Sequence, residues 1–300
     1  MSLPDASLAQ ALAQRVVVLD GGLATRLEQR GHDLSDDLWS ARLLLDDPAE
    51  VRAAHEDYFG AGAEVAITAS YQVSYAGLAA RGIDRDGTDL ALRRSVELAR
   101  AAAAAYAQPR WVAASVGPYG AALAEGQEYT GDYGLSVTQL RAWHRPRLET
   151  LIEAGPDLLA LETIPCLDEV EALLAEVAGT GVPCWLSLTA DGDRTRRGEP
   201  VAEAFAMARD VAEVIAVGAN CCTAETADVV VPLAREVSGK PGVVYPNSGE
   251  GWDGAGRVWT GRPTFDPERV GAWVQAGARL VGGCCRVGPP EIQRVAALVR

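Results

Sequence analysis

With 300 residues, 48% of them apolar and 23% charged, the chain has a globular composition and excludes wholesale disorder. A chain of this length can bury about 75% of the surface that its unfolded form exposes. Lys and Arg number 27 against 41 Asp and Glu, a formal charge of −14, which argues against nucleic acid or an anionic membrane surface as the main partner, since both reward a basic face.

Residues 1–14 lack the basic start and apolar stretch of a signal peptide and read as a short amphipathic lead-in. No segment reaches the roughly 18 uninterrupted apolar residues of a membrane span. A cytoplasmic location with reduced thiols is therefore expected. Short runs rich in Val, Ile, Leu and Trp then recur and predict strands at Val16–Asp20, Glu64–Ala69, Trp111–Ser115, Leu158–Leu161, Cys184–Leu188, Val214–Val217, Val243–Tyr245 and Arg279–Val281. Segments with helical spacing lie between them: Pro48–Gly60, Leu90–Ala107, Ser136–Ala154, Leu167–Ala178, Val201–Ala212, Ala224–Val237, Asp266–Ala276 and Pro289–Val299. Three of the helices run into Ala-Gly pairs, at Gly62, Gly155 and Gly277, where a left-handed cap is expected.

Eight near-continuously apolar strands, each followed by a helix, are the pattern of a parallel sheet covered by helices. The expected fold is an α/β (β/α)8 TIM barrel over residues 1–300, without a linker or domain boundary. An open doubly wound sheet is the alternative, yet no G-x-G-x-x-G follows the first strand. Insertions fall after strands one (Gly21–Asp47), three (Gly117–Leu135) and seven (Pro246–Thr264), all on the C-terminal rim where such barrels place their sites.

That rim concentrates chemistry. Asp20-Gly21-Gly22 follows strand one, Thr68 strand two, Ser115 strand three, Glu162-Thr163 strand four, Thr189 strand five, Asn220-Cys221-Cys222 strand six, Asn247 strand seven and Gly282-Gly283-Cys284-Cys285 strand eight. Strands six and eight have a single neighbour between them in a closed barrel, so their cysteines can converge. Thiolates meeting at one point need a cation, and Zn²⁺ with three protein ligands and an open fourth position suits them. Cys284 and Cys285 can both ligate only if the chain turns at once, for which Gly282-Gly283 offers backbone freedom. Strand alternation lets only one of Cys221 and Cys222 face inward. Cys166 and Cys184 read as small apolar core residues. A thiolate-rich zinc is better suited to activating a substrate thiol than water. An inward carboxylate such as Asp20 or Glu162 would then hold a substrate ammonium, although Asp20 beside two glycines fits a turn aspartate equally well. His32, His55 and His144 fall at no predicted strand end, which counts against a hydrolase or lyase using zinc-bound water.

The chain resembles the homocysteine S-methyltransferase family, in its zinc-dependent, cobalamin-independent form. The resemblance rests on Leu19-Asp20-Gly21-Gly22, Asp37-Leu38-Trp39-Ser40, Ile67-Thr68-Ala69-Ser70-Tyr71-Gln72 and Ser115-Val116-Gly117-Pro118-Tyr119-Gly120. Glu162-Thr163-Ile164-Pro165, Gly218-Ala219-Asn220-Cys221, Val244 to Glu250 and Gly282-Gly283-Cys284-Cys285-Arg286 complete it. Tyr245 to Glu250 and Gly131-Asp132-Tyr133 are similar to the members that use S-methylmethionine. Ala219 departs from the commoner Ile or Val, a packing change only.

By this resemblance Cys221, Cys284 and Cys285 would be the zinc ligands and catalytic centre, with Cys222 a bystander. Asp20, Gly21, Thr68 and Glu162 would meet the amino-acid part of homocysteine, Asn247 would stand beside the metal, and Ser115 is a weaker candidate. The partners implied are homocysteine and a sulfonium methyl donor, S-methylmethionine or S-adenosylmethionine, and a monomer is compatible with the family branch. Donor charge would favour the rim aromatics Trp39, Tyr119, Tyr129, Tyr133 and Trp252 through cation–π contact, against a reading of each as loop packing. The competing functions are a zinc-stabilised homocysteine sensor without transfer activity and a methyltransferase for another thiol or selenol.

Overall fold

The computed structural model describes residues 7–34, 40–123, 126–253 and 258–300. Eight strands form one sheet: β1 (Val17–Val18), β2 (Val65–Ile67), β3 (Trp111–Val116), β4 (Leu158–Ile164), β5 (Cys184–Leu188), β6 (Val214–Asn220), β7 (Gly242–Tyr245) and β8 (Ala278–Val281). Every neighbouring pair is parallel, in the order β1-β8-β7-β6-β5-β4-β3-β2. The two ends of that order meet. The Glu64 N–H donates to Val18 O at 2.8 Å and the Asp20 N–H to Val65 O at 3.1 Å, closing a (β/α)8 barrel.

Each strand is buried on both faces, which explains the near-continuous apolar runs. Val17, Leu19, Leu158, Ala160, Trp185 and Leu280 fill the barrel interior, whereas Val18, Leu159, Leu161, Leu186 and Val281 pack outward against the helices. The N-terminal lead-in is a helix, Leu8–Gln14, capped by Ser7. Its apolar positions Leu8, Ala11 and Leu12 join the interior cluster with Trp111 and Leu158, the first residues of β3 and β4. The barrel is thus plugged where strands begin, and its cavity opens where they end.

Helix boundaries shift where local capping outweighs the apolar period. The helix expected from Leu90 starts at Arg85, because Asp84 caps it by accepting the Gly87 N–H at 2.9 Å. The helix expected over Ala224–Val237 is α-helical only to Leu233 and widens to a π turn over Ala234–Ser238, just after Pro232, which has no N–H to give. Gly62, Gly155 and Gly277 take φ values of +105°, +70° and +114°, as expected of left-handed caps. After β5 the chain adds a hairpin, Ala190–Asp191 with Arg194–Thr195, which the sequence reading did not separate as an insertion. Among the described residues no helix is long and apolar enough to cross a membrane.

Candidate metal centre and its cavity

The sulfurs of Cys221, Cys284 and Cys285 all lie within 4.8 Å of one another. Cys221 directly follows β6 and adopts φ +47°, a left-handed conformation rare for a residue with a side chain. Its carbonyl accepts the Thr189 hydroxyl at 3.2 Å. The turn after β8 is stitched to the loop after β7: the Cys284 N–H donates to Pro246 O at 2.8 Å, and the Ser248 N–H donates to Cys285 O at 3.0 Å. The Cys285 N–H donates to Asn247 Oδ1 at 3.1 Å. Cys222 takes the other direction, into the layer between strands and helices, and stays outside the sulfur cluster. Alternation at the end of β6 thus separates the two neighbouring cysteines.

Gly282 and Gly283 serve a purpose other than the expected freedom, since neither takes a positive φ. A Cβ on Gly283 would stand 2.1 Å from Val287 Cγ1, and one on Gly282 2.7 Å from Leu19 Cβ. Absence of side-chain volume is what lets the turn fold back on itself.

The donor set fits one soft cation. A tetrahedral ion with metal–sulfur bonds of about 2.3 Å holds its sulfurs about 3.8 Å apart, inside the observed limit. Without a metal the thiols share protons. The Cys284 thiol is held well below its ordinary range by hydrogen bonds from Cys221 and then Cys285, and Cys221 is pushed up by the same contacts with Cys284 and Cys285.

Glu162 lines this cavity, and the Asp20 carboxyl is buried near it. Asp20 Oδ2 accepts the Ile67 N–H at 2.8 Å, while Oδ1 is buried without a partner. Burial pushes the Asp20 carboxyl well above the usual range, and the charge of Glu162 adds to the rise. Glu162 is held from both sides: Ser115 donates to Oε1, and the Tyr245 hydroxyl donates to Oε2 at 3.0 Å. Trp185 Nε1 in turn donates to the Tyr245 oxygen at 3.0 Å. Burial still raises Glu162 to about 7. Neither residue has a cationic side-chain partner among the described residues, so their pairing calls for a cationic ligand.

Thr68 also lines the cavity, but most of its hydroxyl is committed. Ser70 donates to Ser115 O at 2.8 Å, so the 2.8 Å contact between the two side chains runs from Thr68 to Ser70. The Ser115 N–H donates back to Thr68 Oγ1 at 3.0 Å, leaving one lone pair free to accept from a ligand. Gly21 is needed by the protein itself: a Cβ there would stand 2.3 Å from Val287 O and 2.8 Å from the Tyr58 ring.

Asn220, quoted in a motif but given no role from the sequence, is the tie between β4, β5 and β6. Its Oδ1 accepts the Thr163 N–H and the Ser187 hydroxyl, both at 2.8 Å, and its Nδ2 donates to Thr163 Oγ1 at 2.7 Å. Thr163 has φ +62°, Cys221 +47° and Arg286 +66°. These are the non-glycine positive φ values among the described residues, and all three follow site residues on the rim or are themselves one. Strain of this kind, costing on the order of 1–3 kcal/mol each, collects where a site over-determines the backbone.

The rim aromatics divide. Tyr129 lines the cavity, joined by Tyr71 and Glu128, neither of which was singled out from the sequence as a binding residue. Tyr119 and Tyr133 pack edge-to-face on each other at 5.3 Å and Tyr119 on Trp143 at 5.2 Å, so both rings take part in loop packing. Trp39 and residues 37–39 of their motif lie outside the described residues, as does the side chain of Trp252. His144, set aside as a helix-face residue, is fully buried and braces the loop after β3. Arg147 donates to His144 Nδ1 at 2.9 Å and to Gly117 O at 2.6 Å, and His144 Nε2 therefore donates to Glu169 Oε1 at 2.8 Å. Glu169 also accepts the Tyr119 N–H at 2.6 Å. Cys166 and Cys184 are buried, free and pushed up to about 12, as core thiols should be.

A closed (β/α)8 barrel whose mouth gathers three converging thiols near two buried carboxylates defines a class of barrel enzyme with a candidate metal centre. The family model for homocysteine S-methyltransferase matches residues 17–299, and the chain belongs to that family. It is 44% identical to the homocysteine S-methyltransferase of Escherichia coli (strain K12) over 297 residues, covering 95% of each chain. It is 41% identical to the homocysteine S-methyltransferase YbgG of Bacillus subtilis (strain 168), again over 95% of each. Among solved structures, the metallated form of the homocysteine methyltransferase MmuM from Escherichia coli superimposes with a TM-score of 0.87 at 41% identity, covering 97% of this chain and 99% of that one. Its apo form gives 0.78 at 36% identity, covering 97% and 98%.

Proposed function

We propose that this protein transfers a methyl group from a sulfonium donor, S-methylmethionine first among the candidates, to the sulfur of homocysteine, giving methionine. Cys221, Cys284 and Cys285 would hold Zn²⁺, and Asp20, Gly21, Thr68, Glu162 and Asn247 would bind substrate or steady the centre. Its relatives carry the name of that reaction at 41–44% identity, which does not favour the sensor without transfer activity. The observation that carries the reading is the cavity that the three thiols line with Glu162, with the buried Asp20 near enough to feel the charge of Glu162 and Cys284.

Bound zinc would supply a fourth coordination position that takes a thiol and lowers its pKa. Asp20 and Glu162 would receive the acceptor's ammonium between them, which offsets the burial that raises both carboxyls. Ser115 and Tyr245 hold Glu162 so that it faces the ammonium in one orientation. Thr68 has a lone pair left to accept a further N–H. Asn247 keeps the Cys285 backbone in place.

In the transfer the donor's S–CH3 bond breaks as the new S–CH3 bond forms, and the donor leaves as a neutral thioether. Thiolate and sulfonium charges cancel, so the leaving group needs no proton and exclusion of water favours the step. The centre needs reduced thiols, a condition that a cytoplasmic setting maintains.

The test is methionine formation from homocysteine and S-methylmethionine by purified protein, before and after chelation and after zinc is returned. The expected result is turnover that vanishes with the metal and returns with it. Turnover that survives complete metal removal, or none with the metal bound, would overturn the reading.

A further inference from the structure

A second carboxylate, outside the proposed acceptor site, lines the cavity. Glu128 sits in the turn Gln127–Tyr129 on the loop after β3 and lines the same cavity as the three cysteines. Its Oε2 is buried without a partner among the described residues. Tyr129 lines the cavity with this carboxylate and the three cysteines, and its hydroxyl feels the charge of Cys221, Cys285, Glu128 and Cys284. Tyr71 is coupled in the same way to Glu128 and Cys221. Burial raises the Glu128 carboxyl, and no cationic side chain contributes to offset it.

A cation without a counter-charge lies beside the same ring. The Arg196 guanidinium carbon is 5.6 Å from the centroid of Tyr129. Its Nε donates to Thr189 Oγ1 at 3.2 Å, and it forms no ion pair among the described residues. Glu128 adjoins Tyr129 in the chain and Arg196 lies against its ring, and no ion pair joins the two among the described residues. An onium ligand carrying positive charge alone would gain from Glu128 but be repelled by Arg196. An α-amino acid satisfies both, through its ammonium and its carboxylate.

Resting on the proposed methyl transfer, we propose that Glu128 and Arg196 select the methyl donor by its amino-acid end, Glu128 taking the ammonium and Arg196 the carboxylate, with Tyr129 and Tyr71 forming the wall between that end and the reacting sulfur. Asp20 and Glu162 then serve the acceptor and Glu128 the donor. The donor class is a sulfonium α-amino acid, in preference to a simple alkylsulfonium or a sulfonium acid without an amine.

Steady-state kinetics with homocysteine and three donors test this: S-methylmethionine with both groups, dimethylsulfonioacetate with the carboxylate only, and trimethylsulfonium with neither. Glu128→Gln is expected to lower kcat/KM for S-methylmethionine by about tenfold or more relative to both other donors, because a site built for a polar group loses most when that pairing fails. Arg196→Gln is expected to lower it for S-methylmethionine and dimethylsulfonioacetate relative to trimethylsulfonium. The KM for homocysteine and the bound zinc should stay as in the unaltered protein, a readout that a general disturbance of the loop would move. Equal losses with all three donors, or no loss, would overturn the assignment while leaving methyl transfer standing. Failure of the unaltered protein to use any of the donors would overturn the proposed reaction itself.

Discussion

Asn247 accepts the backbone N–H of Cys285 through Oδ1 at 3.1 Å, so an amide on the loop after β7 sets the position of a sulfur on the turn after β8. The same loop accepts the Cys284 N–H through Pro246 O. If Cys285 holds the proposed zinc, Asn247 is one bond removed from a ligand, and such groups typically change metal affinity by about 10–100-fold when removed. Asn247→Ala should weaken zinc binding by about that range in a chelator competition, while Asn247→Asp, which keeps the acceptor, should lose less.

Cys221 and Cys222 are adjacent, yet one enters the sulfur cluster and the other the helix-facing layer. Cys221→Ser, Cys284→Ser and Cys285→Ser should each abolish stoichiometric zinc and lower methionine formation by at least about 100-fold, since thiolates are the ligands that select this ion. Cys222→Ser should retain one zinc per chain by elemental analysis. Metal loss in the Cys222 variant alone would reverse the assignment.

Asp20 carries a stability cost that its proposed role in binding an ammonium would explain. Its carboxyl is raised in the folded chain by burial, so ionisation destabilises the fold as pH rises above the unfolded value of about 3.9. Asp20→Asn should therefore raise the unfolding midpoint near neutral pH by about 2–4 °C, for a gain of about 1 kcal/mol in a domain of this size. The difference should close below about pH 4, where the carboxyl is protonated in both states. The same variant should raise the KM for homocysteine about tenfold or more, through loss of the ammonium's partner. Scanning calorimetry and kinetics read the two effects separately.

His55, on the helix Pro48–Gly60, is fully buried with neither ring nitrogen hydrogen-bonded, and burial lowers it from 6.5 to about 4. A depressed histidine contributes its stability fully above the unfolded pKa and loses it as pH falls from 6.5 towards 4, because the unfolded chain takes the proton first. Each unit is about 1.4 kcal/mol, so between about pH 7.5 and pH 5 this residue should remove about 2 kcal/mol. Denaturant unfolding of His55→Leu at both values should show that difference shrink by a similar amount.

The order of strands and helices, and the gathering of polar and thiol groups at strand ends, could be read from the chain directly. Both are consequences of local spacing: a strand buried on two faces must be apolar throughout, and the residue where it ends is the first free to carry chemistry. The cysteines after β6 and β8, the carboxylate after β1 and the one near the end of β4 followed from that rule. Closure between β1 and β2, the separation of Cys221 from Cys222, and the pairing of Ser115 and Tyr245 on Glu162 depend on residues far apart in the chain, and no local pattern contains them. Glu128 was invisible for the same reason, being one acid in a polar loop until folding buried its Oε2 beside Tyr129 and the thiols. Gly21, Gly282 and Gly283 make the contrast plainest. Their letters announce missing side chains, but only the barrel's closure shows that the space is taken by Val287 and Leu19, because close packing is settled by all neighbours at once.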